Sequence, residues 1–353
     1  MSLPSLEQSF VVGSIPSVAG NLPRVSDSMT WADRLGSYKA RWGIGRMHYT
    51  VDPGLYALGE PDAEAPVLVT ANYKMSFDLL RVAFSGRDAW ILVLDTSGIN
   101  VWCAAGKGTF GTKELARRVE SSELAKVVTH RKLILPQLAG PGVEAHRVKK
   151  LTGFEVIYGP IRALDLPAFQ DNGLKATPKM RLKAFPVRER LALIPMELVP
   201  ALKGTAAVLF VLVLLSGLLG RGGFWENILD HGLFTIPAIL AALLTGTVLT
   251  PLLLPWLPGR AFSTKGLVIG LIGAAIIVIS REGSLASWAG RLEGLAWFFL
   301  IPAITAYLAM NFTGSSTYTS LSGVRKEMRW AVPVEIGAGL AGLGLWVSSL
   351  FLA

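Results

Sequence analysis

From Ala201 to the end of the chain there are only 9 Lys or Arg and 6 Asp or Glu residues, against 25 and 19 in residues 1–200. A chain of 353 residues cannot hide so long a charge-poor stretch in one soluble core, because the surface a domain can bury is bounded by its size. The stretch instead divides into five apolar runs: Ala201–Leu219, Gly232–Leu254, Gly266–Ser280 (with Phe262 as an alternative start), Leu292–Phe312 and Ala331–Ala353. Roughly 17–25 such residues span a bilayer as a helix. Pro237, Pro251, Pro302 and Pro333 lie in or at the ends of the runs, where neighbouring helices can satisfy the freed backbone groups. Trp225, Trp256, Trp288 and Trp330 fall near run ends, as an interfacial aromatic belt requires.

The cations in the connecting loops give an orientation. Lys175, Lys179, Arg181, Lys183, Arg188, Arg190 and Lys203 precede the first run; Arg260 and Lys265 join the second to the third; Arg325, Lys326 and Arg329 join the fourth to the fifth. The opposite loops hold only Arg221, Arg281 and Arg291. Lys and Arg accumulate on the cytoplasmic side, so we expect a multi-pass protein of the cytoplasmic (inner) membrane, with residues 1–200 cytosolic and Ala353 outside. The formal charge of +9 then belongs to topology and lipid contact, and no nucleic-acid partner is expected. The start, Leu3-Pro4-Ser5-Leu6-Glu7, is not the basic-then-apolar pattern of a secretory signal. One Cys excludes an internal disulfide framework. Ionisable residues avoid the span centres, Glu335 coming nearest. Ion-coupled carriers place such groups at mid-membrane, so the runs read as an anchor or platform. The Ser/Thr/Gly-rich loop Asn311–Gly323 is either a linker or a polar surface that meets the soluble half.

The soluble half alternates short apolar runs with helical patterns. Residues 66–72, Trp90–Leu94, Lys132–Leu135 and Phe154–Tyr158 read as buried strands. Met75–Phe84, a helix opened by Thr112 as N-cap, and Val143–Leu151 read as helices between them. This order predicts an α/β open parallel sheet with helices on both faces, of the Rossmann-like kind, followed by the α-helical membrane domain. Ligands bind such sheets beyond the carboxyl ends of the strands. Those ends are Thr70-Ala71-Asn72, Asp95-Thr96-Ser97-Gly98, Pro136-Gln137-Leu138-Ala139-Gly140-Pro141-Gly142 and Tyr158-Gly159-Pro160. Residues 1–50 show no clear period.

One segment carries chemistry: Asn100-Val101-Trp102-Cys103-Ala104-Ala105-Gly106-Lys107-Gly108-Thr109-Phe110-Gly111. Gly106, Gly108 and Gly111 match a dinucleotide fingerprint by letter, but they stand too far from the strand. The same segment fails as a P-loop, since Val101 occupies its first Gly position and Gly108 follows Lys107. A lone Cys is usually a small buried apolar residue. Here Asn100 can cap a short helix and set Cys103 in its first turn, where the helix dipole favours an anion. Trp102 offers a flat surface beside it, and Ala104, Ala105 and Gly106 leave room for close approach. Such a Cys suits a nucleophile or a soft metal ligand.

The block N-V-W-C-A-A-G-K from Asn100 closely resembles the cap-helix motif of the mercury-methylating corrinoid protein family. V-T-A-N-Y-K from Val69, V-L-D-T-S-G-I from Val93, P-Q-L-A-G-P-G from Pro136 and F-E-V-I-Y-G-P from Phe154 extend the resemblance. These strand-end pieces also resemble the corrinoid iron–sulfur proteins of the acetyl-CoA pathway. This chain departs from the latter in having no cysteine set for an iron–sulfur cluster and in its membrane half. It also lacks the D-x-H-x-x-G box of corrinoid methyltransferases, since none of His48, His130, His146 and His231 has Asp two residues before it.

The resemblance implies a cobalamin-type corrinoid bound in a cytosolic domain, with Cys103 as catalytic residue and lower axial thiolate ligand of the cobalt. Asn100, Val101, Trp102, Ala104, Ala105, Gly106 and Lys107 would shape that face. Thr70–Asn72, Thr96–Gly98 and Pro136–Gly142 would hold the ring edge and nucleotide tail. The implied reaction passes a methyl group from methyl-cobalt(III) corrinoid to Hg(II), forming methylmercury. A methylated folate, or its methyltransferase, would supply the methyl group. A ferredoxin-like protein with two [4Fe-4S] clusters would supply electrons and deliver Hg(II). The expected domains are 1–50, an N-terminal segment; 51–175, corrinoid-binding; 176–200, a basic linker; and 201–353, transmembrane. Competing readings are a membrane-attached methyl carrier of one-carbon metabolism, a transporter with a cytosolic sensor, and an anchored Rossmann oxidoreductase.

Overall fold

A computed structural model of the chain describes residues 3–281, 285–315 and 321–352. It divides into two compact units, Met1–Ala184 and Phe185–Ala353.

Unit 1 is built on a 7-stranded sheet. Its elements are β1 (Val11–Ser17), β2 (Gly20–Val25), α1 (Trp31–Arg41), β3 (Gly54–Leu58), β4 (Val67–Ala71), α2 (Lys74–Ala83), β5 (Ala89–Leu94), α3 (Val101–Lys107), α4 (Thr112–Ser121), α5 (Leu124–Val127), β6 (Lys132–Leu135), α6 (Ala145–Thr152), β7 (Glu155–Tyr158) and α7 (Leu166–Asp171). The strand order is β1-β2-β3-β5-β4-β6-β7. Strands β5, β4, β6 and β7 run parallel, as the alternation of strands and helices requires. Every residue of β4 and β5 is buried, because helices cover both faces of the sheet. Alternate residues therefore enter two separate cores. Val67, Val69, Leu92, Leu94, Leu133 and Leu135 pack with Leu115 and Val119 of α4. Leu68, Ile91, Val93 and Ile134 pack with Phe77, Leu80 and Phe84 on the α2 side and with Phe169 of α7.

The structure adds to the expected sheet at its amino-terminal side. Residues 1–50, which show no period, form the β1–β2 hairpin and α1. Strand β1 has no buried residue, so no alternating pattern marks it. Strand β3 lies antiparallel to β5, which makes the sheet mixed. The helix expected from Thr112 begins there, but Gly111 is its N-cap. The Thr112 hydroxyl instead accepts from the Glu144 amide at 2.9 Å, tying the start of α4 to that of α6.

A closed ring of buried charge fastens α1 to α2. Lys74 Nζ lies 2.6 Å from Asp33 Oδ1 and 2.7 Å from Asp78 Oδ2. Arg81 joins the same two carboxylates at 3.0 and 2.8 Å, and its Nη1 donates to the Ser26 and Ser28 carbonyls. Two cations and two anions balance, and the guanidinium is fully buried. Burial pushes the Asp33 carboxyl up, but the Lys74 ammonium and the Thr30 amide outweigh it and hold the group at about 2.

Unit 2 contains five helices long and apolar enough to cross a membrane, among the described residues. They are α8 (Val187–Leu218), α9 (Phe224–Leu253), α10 (Phe262–Ile279), α11 (Trp288–Asn311) and α12 (Leu321–Leu352). Helix α8 starts inside the stretch 176–200 expected to be a linker. Small residues let α10 and α11 approach closely. A Cβ on Gly266 or Gly270 would meet α11 backbone at 2.8 and 2.7 Å, the packing mode of membrane helices. Glu293, inside α11, pairs with Arg281 at 2.7 Å and lies 3.5 Å from His231 Nδ1; this group sits within about two turns of the helix ends. Residues 316–320, the centre of the Ser/Thr/Gly-rich loop, lie outside the described residues.

Candidate functional site

The order of the sheet sets the position of the site. From β4 the chain moves to β5 on one side, then returns past β4 to β6 on the other. The gap between the carboxyl ends of β4 and β6 is therefore the switch point, where open sheets bind ligands. A cavity of about 310 Å³ occurs there. Leu68, Val69 and Thr70 line it from β4, Ile134, Leu135 and Pro136 from β6, and Pro160 and Ile161 from beyond β7. Asn100, Val101 and Trp102 border it at the start of α3.

The helix α3 is short because both ends are capped within the sequence. Asn100 Oδ1 accepts from the Cys103 amide at 2.9 Å, as an N-cap should. Gly108 adopts φ 83° and closes the other end, a conformation that favours glycine. Ala104 and Ala105 point into the core. Cys103 is half-buried, while Gly106 and Lys107 are exposed. A Cβ added at Gly106 would meet nothing within 4 Å, so one side of the helix presents an open surface a turn beyond Cys103. On its other side the helix is braced by the loop after β6. A Cβ on Gly142 would come within 2.2 Å of the Phe110 carbonyl and 2.9 Å of Ala105 Cα.

The sequence-selected residues do not all meet at the cavity. Thr70, Asn100, Val101, Trp102, Pro136 and Leu138 line the cavity. Thr96 and Gly98 both bond to Asn72, whose Oδ1 accepts from the Thr96 amide at 3.0 Å, the Thr96 hydroxyl at 2.8 Å and the Gly98 amide at 3.0 Å. This buried knot fixes the turn that launches α3, with Ser97 and Gly98 at φ 56° and 69°. Ala71 is buried at the end of β4. Gln137 bonds to Arg181, Ala139 is buried, and Gly140 and Pro141 are exposed. Cys103 does not line the cavity; it follows Trp102, which does. Sequence reasoning missed Ser76, Leu79 and Leu80 of α2 and Ala163 and Leu166, which complete the lining. Leu79, apolar yet turned away from the Phe77–Leu80–Arg81 buried face of α2, was the available signal.

Among the described residues no group of three or more His, Cys, Asp or Glu could hold a metal. Cys103 supplies one soft donor beside an open helix face and an apolar cavity, and soft metal centres favour thiolates.

Residues 44–169 match the family model described as the CO dehydrogenase/acetyl-CoA synthase delta subunit. Subunit gamma of the acetyl-CoA decarbonylase/synthase complex of Methanopyrus kandleri is 33% identical over 121 residues, which are 34% of this chain and 26% of the relative. Subunit gamma 2 from Methanosarcina thermophila is 34% identical over 128 residues, 35% of this chain and 27% of the relative. The chain thus spans about a quarter of the length of the curated relatives it matches. Residues 44–169, which contain β3 to β7, the cavity and α3, are therefore a domain related to the delta and gamma subunits of the acetyl-CoA synthase and decarbonylase complexes.

Proposed function

We propose that unit 1 binds a corrinoid between α3 and the strand ends and serves methyl transfer, with Hg(II) as the accepting substrate. The observation that carries this reading is Cys103: a half-buried thiol in the first turn of a capped helix, beside a cavity at the switch point of the sheet. When bound, the corrinoid supplies the cobalt chemistry that accepts and hands on a methyl group. The chain contributes position and electronics. Cys103 would hold the metal through Sγ, and an electron-rich thiolate donor would be the protein's lever on its reactivity. Asn100 fixes the helix turn that carries Cys103. Gly106 keeps the helix face open, and Trp102 with the cavity lining excludes water. The same reading assigns the methyl supply to a methylated folate or its methyltransferase, and electrons and Hg(II) delivery to a ferredoxin-like partner with two four-iron clusters.

The test is visible absorption of the purified protein together with methylation of Hg(II). We expect a corrinoid spectrum in the wild type and a changed spectrum with loss of methyl transfer in Cys103→Ala. A wild-type protein that binds no corrinoid under reducing conditions would defeat the proposal.

The similarity to acetyl-CoA synthase subunits favours a second reading, a membrane-attached methyl carrier of one-carbon metabolism. It keeps the corrinoid and replaces Hg(II) by another acceptor. Wild-type protein that binds corrinoid but fails to methylate Hg(II) would select it.

A further inference from the structure

Helix α1 turns its apolar side away from the protein. Asp33 and Ala40 are buried, so the helix packs through one face. Trp31, Leu35, Tyr38 and Trp42 recur at helical spacing on the opposite side and are 72%, 40%, 56% and 48% exposed. Ile44 and Met47 continue the patch in the following turn. Arg34 and Arg41 flank the stripe on one side and Lys39 on the other. The only carboxylate of α1, Asp33, is committed to the buried charge ring. A stripe of large apolar residues fringed by cations, with no free anion, is the pattern of a helix lying in a lipid interface. Trp and Tyr favour the headgroup level, and Arg and Lys attract anionic lipid. The same chain carries five helices fit to span a membrane, so a lipid surface is tethered to this stripe at high effective concentration.

We propose that α1 and residues 42–47 form a peripheral docking surface for an anionic membrane. The assignment is independent of the cofactor reading. It has a bearing on the site, because the Met47 carbonyl and Thr50 lie against Gly98 at the turn that launches α3. Docking would hold that rim of the domain next to the bilayer.

The test uses the full chain in vesicles of phosphatidylcholine, with or without phosphatidylglycerol, made from ordinary lipid or lipid brominated near the headgroup. Bromine quenches tryptophan on contact. The chain holds 10 Trp, so the stripe is read as the emission difference between wild type and the Trp31→Phe, Trp42→Phe double variant. Both residues are exposed, so the double variant keeps its packing. We expect this difference signal to be largely quenched in brominated anionic vesicles. The quenching should be lost in Arg34→Glu, Lys39→Glu, Arg41→Glu and weakened by salt. Absence of quenching would overturn the proposal. So would shielding from aqueous iodide without bromine quenching, which would show that protein covers the stripe. Equal quenching in neutral vesicles, unaffected by charge reversal, would overturn the anionic assignment.

Discussion

At the scale of single residues, Cys103 and Asn72 show two kinds of legibility. Cys103 was readable because one Cys follows an N-capping Asn by three residues, and the structure sets it in that helical turn. We expect Cys103→Ala to abolish methyl transfer to Hg(II) while the protein still inserts in membranes. Cys103→His should retain corrinoid but lose most activity, since imidazole donates less than thiolate; wild-type rates in either variant would remove the residue from the mechanism. Asn72, read from the sequence as a cofactor contact, has a structural task that the sequence does not announce: its carboxamide oxygen accepts from three donors of Thr96 and Gly98. No sequence pattern reveals a tertiary knot formed 24 residues apart. Asn72→Ala strands two buried amides, at about 1–3 kcal/mol for each group left unsatisfied, while the Thr96 hydroxyl keeps the Ile99 carbonyl as acceptor. We expect lowered stability of unit 1, measured by denaturant unfolding, together with weaker corrinoid binding because α3 loses its fixed start.

Among elements, the cap helix and the charge ring make separable predictions. Ala104→Pro removes the hydrogen bond that the Ala104 N–H donates to the Asn100 carbonyl and should cost about 3 kcal/mol or more in the helix interior, with loss of methyl transfer. Gly106→Ala is the more discriminating variant. Its Cβ meets open space, so α3 should gain up to about 1 kcal/mol in helix preference. If a flat macrocycle lies on that face, corrinoid affinity should nevertheless fall. Unchanged affinity would place the ring elsewhere. The ring of Asp33, Lys74, Asp78 and Arg81 was not legible, because Asp33 and Lys74 stand 41 positions apart in the sequence and neither end announces a partner. Its pH dependence follows from Asp33. The folded carboxyl sits at about 2 against an ordinary 3.8, so its stabilisation is complete above pH 3.8 and is lost as pH falls from there towards 2. Hydrogen exchange of α1 should accelerate over that interval in wild type and show no such step in Asp33→Asn.

For the whole molecule, the charge-poor half and the alternating half were visible because hydropathy and strand period are local properties. The amino-terminal hairpin was not, because its outer strand β1 has no buried residue and leaves no period to read. The largest consequence at this scale comes from counting donors. The protein has one Cys, and iron–sulfur clusters need about four each, so it can hold no cluster of its own. Among the described residues no alternative group of His, Cys, Asp or Glu gathers to hold a metal. If Cys103 is committed to cobalt, no second thiolate remains to receive Hg(II), a soft ion that seeks sulfur. On the proposed function, electrons for renewed methyl loading and a landing site for mercury would then come from another molecule. We therefore expect the purified chain, loaded with methylated corrinoid, to convert at most one equivalent of Hg(II) per methyl group. Adding an iron–sulfur protein of the ferredoxin type, or a strong chemical reductant with methyl donor, should restore repeated turnover. The measurement is methylmercury formed per corrinoid over time, under anaerobic conditions, with and without each addition. Repeated turnover by the chain and methyl donor alone would show that it recruits electrons and mercury by itself, and the division of labour argued from its single Cys would fail.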